Sequence, residues 1–160
     1  MNRRTFATFF LFVFTLSLVN LSAFAGDTFP EWRGVNGQGH ADAKDLPVSW
    51  SEDKNIAWKI NIKGLGWSTP VIADGKVWVT TGIDTPATKE DFERRRKAST
   101  NRMPLNIASE VSLRAVCVDI KTGKNLNDSA VIAQSHYQLL HFDHSYATPT
   151  PLYANVTLFC

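Results

Sequence analysis

Beyond residue 25 the chain has no long apolar run, almost no cysteine and no excess charge of either sign. Without an apolar stretch long enough to cross a bilayer, nothing in that region is expected to span a membrane. Of seventeen Lys and Arg in the whole sequence, Arg3 and Arg4 precede residue 25, which leaves fifteen basic residues against fifteen acidic ones. A balanced chain offers no electrostatic footprint for nucleic acid. The only cysteines are Cys117 and Cys160. They make no C-x-x-C and no adjacent pair, which excludes a four-thiolate zinc site and a dithiol redox motif.

The missing apolar run is found at the start. Arg3 and Arg4 form a positive region, an apolar stretch follows from Phe6 to about Leu18, and Ala23-Phe24-Ala25 is a small-x-small cleavage site. Residues 1–25 read as a secretory signal cleaved after Ala25, so the expected location is periplasmic or secreted. The run Arg3-Arg4-Thr5-Phe6 partly matches a twin-arginine signal, which leaves the export route open. The residue after the cut is Gly26 rather than cysteine, so no lipid anchor is expected there. In an exported chain a Cys117–Cys160 bridge is chemically allowed. Both cysteines lie in apolar runs, A-V-C-V and L-F-C, and read rather as small buried hydrophobes.

The strongest pattern is a repeat. Ser68–Val79, S-T-P-V-I-A-D-G-K-V-W-V, aligns without a gap on Pro149–Cys160, P-T-P-L-Y-A-N-V-T-L-F-C, at a shift of eighty-one residues. Each copy is two short apolar runs joined by a turn, Asp74-Gly75 in the first and Asn155-Val156 in the second. Asp-Gly between alternating apolar residues predicts a β-hairpin, and Pro70 and Pro151 fit only at a strand start or an edge. A hairpin recurring at long period points to stacked or radial repeats.

Residues 26–54 read as an irregular entry segment containing G-V-N-G-Q-G (Gly34–Gly39). It precedes no helix and follows no apolar strand, so it is not read as a phosphate cradle. Ile56, Trp58, Ile60 and Ile62 alternate with polar or small residues and predict a strand. Thr88 to about Ser99 predicts a short exposed helix, with Thr88 and Asp91 as a capping pair, acids first and Arg94–Lys97 last. Its basic run reads as a solvated face rather than a patch for an anionic partner. Val111–Leu126 returns to strand around Asp119-x-x-Thr122-Gly123. There the Asp is expected to close an Asx-turn and Gly123 to take a positive φ. No second carboxylate or base can be named to make Asp119 catalytic. His136, His141, Asp143 and His144 are either ligands for a divalent metal or loop residues before the second hairpin.

Ala115–Lys124, A-V-C-V-D-I-K-T-G-K, resembles the A-x-x-D-x-x-T-G repeat of PQQ-like (quinoprotein-type) β-propeller proteins. Trp32–Gly39, Trp50–Lys59 and Ser145–Pro151 resemble the start of exported members of that family, so the resemblance spans nearly all of the chain after residue 25. It implies an all-β fold of antiparallel propeller blades with a short inserted helix. Residues 55–128 would be the first blade, with the helical insertion near 88–99, and residues 129–160 an incomplete second one. Such rings close with roughly six to eight four-stranded blades, so about one and a half blades imply the N-terminal fragment of a longer protein, with an open edge prone to aggregation. Family repeats carry a tryptophan about eight residues beyond the Asp that docks one blade on the next. Asn127 stands at that position here.

The resemblance implies one of two functions. One is a non-catalytic binding or scaffold propeller of the cell envelope, facing a protein or carbohydrate partner. The family also includes the propeller subunit of the outer-membrane barrel-assembly machinery, a lipoprotein. The other is a quinone-dependent dehydrogenase oxidising an alcohol or sugar, with PQQ stacked between a Trp and a vicinal disulfide and calcium held by Glu, Asn and Asp. None of that set can be placed on this sequence. Trp32, Trp50, Trp58, Trp67 and Trp78 read as core and blade-interface packing. No catalytic, cofactor-binding or metal residue is assigned.

Overall fold

The computed structural model describes residues 28–41, 44, 46–135 and 138–160. The expected signal segment and His136 lie outside the described residues. The chain is mostly β. Strands β1 (Val71–Ala73), β2 (Lys76–Pro86), β4 (Ala108–Asp119) and β5 (Asn125–Ser135) form one antiparallel sheet in the order β1-β2-β4-β5. Two small two-stranded sheets accompany it. One joins β3 (Leu105–Asn106) to β6 (Leu140–His141), the other β7 (Leu152–Ala154) to β8 (Thr157–Phe159). A helix, α1 (Lys89–Ala98), interrupts the connection from β2 to β4.

Both copies of the repeated stretch fold as hairpins of one geometry. Val71 pairs with Trp78 and Ala73 with Lys76, as Leu152 pairs with Phe159 and Ala154 with Thr157. Both turn residues take positive φ in each copy: Asp74 50° and Gly75 69°, then Asn155 49° and Val156 62°. That is the turn whose twist suits a two-residue hairpin, and it requires left-handed backbone at both central positions. Glycine accepts this freely, whereas β-branched Val156 is strained there.

The helix forms where expected. The Thr88 hydroxyl accepts the Asp91 N–H at 3.2 Å, and Ser99 N–H closes the C-terminus on Arg95 O and Arg96 O. Asp91 pairs with Arg94 and Arg95, and Arg95 also donates to Ala108 O at 2.6 Å, tying the helix to the first residue of β4. No residue of α1 is buried.

Val71, Val111, Val116, Cys117 and Val118 make the buried core of the sheet. Strand β5 runs through residues 128–129, where one blade is expected to give way to the next, and pairs with β4 along its length. All eleven of its residues are exposed, and the Arg114 guanidinium holds it to β4 through Asp128.

Three expectations are corrected, one being that Trp32, Trp50 and Trp67 are packed away, since all three are exposed. Ile56–Ile62 is not a strand: it makes no ladder, and the chain beyond it bridges the sheet only at Leu65, opposite Gly82. From Trp58 on the alternation survives as burial, with Trp58, Ile60 and Ile62 half-buried and Lys59 and Asn61 exposed, while Ile56 is exposed. A period of two therefore marks an extended chain with one face against the protein, whether or not its backbone pairs. Third, Cys117 is buried but Cys160 is exposed, and neither is bridged. Cys160 follows β8, whose flanking residues have no covering layer among the described residues.

Replacing Val156 by glycine imports the residue of the first repeat into the second. The side chain is 83% exposed, so little packing is lost. Val156→Gly is expected to stabilise the protein by about 1 kcal/mol through relief of left-handed strain, and the reverse import, Gly75→Val, to destabilise it by a similar amount. Urea unfolding of the two variants checks the pair.

Candidate functional site

The residues that resemble a family motif meet at one end of the sheet. Asp119 ends β4 and turns the chain into β5. One of its carboxylate oxygens accepts from Lys121 N–H at 3.1 Å, Thr122 N–H at 2.8 Å and the Thr122 hydroxyl at 2.7 Å. Gly123 N–H bonds to Asp119 O, and Asp119 N–H to Lys124 O. The Asx-turn read from the sequence is present. Its donors, the Thr122 hydroxyl first and the Thr122 N–H next, hold the Asp119 carboxyl below the usual carboxylate range.

Two further groups close on this turn. Ile120 N–H donates to Gly75 O at 3.0 Å, joining it to the first hairpin turn. Trp58 donates its indole N–H to Ile120 O at 2.8 Å, and its ring lies on Gly123 so closely that a Cβ there would sit 2.6 Å from Cδ2. Gly123 has φ 69°, so backbone and neighbour both require glycine. Asn127 stands eight residues beyond Asp119, whereas the tryptophan that lies on this turn, Trp58, comes from upstream.

The inner strands of the two hairpins meet on one dipeptide. Phe29 exchanges both backbone hydrogen bonds with Ile72 at 2.8 Å, and Tyr153 N–H donates to Pro30 O at 2.8 Å. Ile72 and Tyr153 are the same position of the two repeats. Other contacts keep the relation: Thr69 N–H donates to the Thr150 hydroxyl at 3.0 Å, and Thr69 and Thr150 are equivalent residues. The Tyr153 hydroxyl donates to Asp74 Oδ2 at 2.6 Å, a bond that pushes the phenol above its ordinary value. Sequence reasoning finds the repeat but misses Phe29, Pro30 and Tyr153 as its joints, because backbone pairing leaves no side-chain signature.

The histidine group is partly assembled. His141 Nδ1 lies 3.9 Å from Asp143 Oδ2, and its ring centroid is 5.8 Å from that of His144. His144 N–H bonds to His141 O, closing a tight turn, and the His144 ring stands 5.9 Å from Trp67. Among the described residues no three His, Cys, Asp or Glu side chains converge as a metal site would require. Trp67, His144, His141 and Phe142 instead form an aromatic strip whose two ends are exposed. A second aromatic surface is a groove of about 390 Å³ between Trp50 and Trp58, rimmed by the Lys59–Glu52 ion pair.

Gly123→Ala is expected to destabilise the fold by at least about 2 kcal/mol. In a Trp58→Ala background the same change is expected to cost less, and the double-mutant cycle measures that coupling. Asp119 gives a pH signature. Its native pKa is lowered, so its contribution is complete above the unfolded value of about 4 and fades as pH falls through the native one. Asp119→Asn is therefore expected to be less stable than the parent at pH 7, with the gap closing progressively below about pH 4 in denaturant titrations.

Comparison with protein-family models, curated proteins and solved structures returns no match to this chain.

Proposed function

We propose that this chain contributes repeat units to an exported β-propeller of the PQQ-like kind, serving as a non-catalytic binding or scaffold module of the cell envelope. The observation that carries the reading is the equivalence of the two hairpins. They share register and turn geometry at a shift of eighty-one residues, and both inner strands bond to Phe29–Pro30. Equivalent residues converging on one point is what units arranged around an axis do, and a four-stranded antiparallel sheet is the size of one propeller blade.

A binding role draws support from the exposed aromatic side chains Trp32, Trp50, Trp67 and Phe142, which give a protein or carbohydrate partner broad, rigid faces. Trp50 lines a groove and Trp67 and Phe142 end a strip, and such an arrangement, rather than single residues, distinguishes a contact surface from ordinary exposed residues. The amino-terminal signal pattern supports delivery to the periplasm or the exterior.

Titrating the full chain with PQQ and calcium, followed by tryptophan fluorescence, separates this reading from the dehydrogenase. A scaffold is expected to show no saturable, calcium-dependent quenching. Saturable quenching that disappears on chelating calcium would overturn the non-catalytic reading and favour a quinone-dependent oxidoreductase.

A further inference from the structure

We infer that the groove between Trp50 and Trp58 is a saccharide subsite, taking a neutral, β-linked disaccharide of the glucose type. The inference rests on the binding-module reading above and names the class of ligand. The groove is built locally. Its lining, Trp50, Ser51, Glu52, Ile56, Trp58 and Lys59, belongs to one stretch of chain, so the site is whole within the described residues and does not depend on the last strand.

A tight reversal brings the two ends of that stretch together. Ser51 and Lys54 exchange both backbone hydrogen bonds, at 3.2 and 3.1 Å, and Glu52 sits in the turn between them. Asn55 takes a positive φ of 60° and donates its side-chain amide to Ser49 O at 2.8 Å. The chain then returns so that Lys59 Nζ reaches both carboxylate oxygens of Glu52, at 3.1 and 3.0 Å. Trp58 is fixed from outside, by its indole N–H on Ile120 O and by its ring against Gly123. The groove is therefore ordered before a ligand arrives, which lowers the entropic cost of binding.

Each part of the groove has a counterpart in such a sugar. With its N–H edge occupied by Ile120 O, Trp58 offers the groove its ring and not a donor. An aromatic face is electron-rich and attracts weakly positive C–H bonds. A glucose-type ring with equatorial hydroxyls turns axial C–H bonds to both faces, so either side is flat and apolar. Its hydroxyls, around the ring edge, both donate and accept. They match the Glu52 carboxylate, which only accepts, and the Lys59 ammonium, which only donates. One charge of each sign, already paired, favours a neutral ligand over an anion or a cation. A proline-rich peptide, another guest of aromatic grooves, offers carbonyls to Lys59, but its prolines bring no N–H to Glu52. The volume of about 390 Å³ lies near the small end of small-molecule sites, which suits a disaccharide rather than a long chain.

The ion pair also makes the site testable without unfolding the protein. Its Lys59 and Glu52 side chains are 75% and 81% exposed, and a pair so exposed contributes little to stability. The experiment is calorimetric titration of the full chain with cellobiose, in EDTA so that no calcium-dependent quinone site contributes. Saturable binding is expected. Trp50→Ala is expected to weaken it at least about tenfold, and Trp50→Phe, which keeps a flat ring, to lose less. Glu52→Gln and Lys59→Met are each expected to weaken it about threefold with the urea midpoint unchanged. These two variants decide the matter where Trp50→Ala folds poorly.

No saturable heat with cellobiose, or an affinity unchanged in all four variants, overturns the subsite. Tighter binding of cellobiouronic acid or of a glucosamine dimer overturns the neutral class. Tighter binding of a polyproline peptide overturns the saccharide in favour of a peptide groove. None of these results bears on the non-catalytic reading, which calcium-dependent quenching by PQQ decides.

Discussion

Three-residue strands cannot satisfy their own backbones, and the way β1 and β7 solve this organises the molecule. Each has one edge against its hairpin partner, and each turns the other towards the same two residues. Phe29 closes a two-way bond with Ile72, while Pro30, which has no N–H to give, offers only its carbonyl, and Tyr153 takes it. A proline at this point is fitting, since the second strand needs an acceptor alone. The entry segment thus acts as the shared neighbour of two strands too short to stand without one. The Thr69–Thr150 and Tyr153–Asp74 bonds then fix their relative position.

The other end of the first hairpin is fixed by a different device. Gly75 O receives Ile120 N–H, Ile120 O receives the indole of Trp58, and the ring of Trp58 lies across Gly123. Asp119 holds that turn in the shape that permits each contact, by gathering three donors on one oxygen. A charged acceptor is stronger here than a neutral one, which explains an aspartate in a position exposed enough to tolerate many polar residues. Sheet, turn and upstream segment are therefore joined largely through backbone groups, with Asp119, Thr122 and Trp58 supplying side-chain specificity.

How much of this the sequence discloses depends on whether the cause is local. The Asp74-Gly75 hairpin, the Asp119–Gly123 turn and the Thr88 cap are legible because each follows from residues a few positions apart. The Asn155-Val156 hairpin is legible only through its likeness to the first, since Val156 argues against that turn. The alternation from Ile56 to Ile62 discloses an extended chain with one covered face but not the lack of a ladder, because periodicity reports side chains and not hydrogen bonds. Nothing local discloses that Trp58 meets a glycine sixty-five positions on, or that Phe29–Pro30 lies between two strands. Exposure of Cys160 was likewise hidden, since an apolar run looks the same whether or not anything covers it.

The inserted helix bears on how the sheet assembles. Strands β2 and β4 are the longest pair in the molecule, yet a long connection separates them, and chain entropy opposes the closure of any flexible loop. Helix α1 is local, capped at its start by Thr88 and with charges ordered to suit its dipole, so it can form early. Once Arg95 has reached Ala108 O, the ends of the connection are already near one another and the residues between no longer behave as free chain. An element with no buried residue of its own thereby shortens the free chain between the two strands on which the core is built.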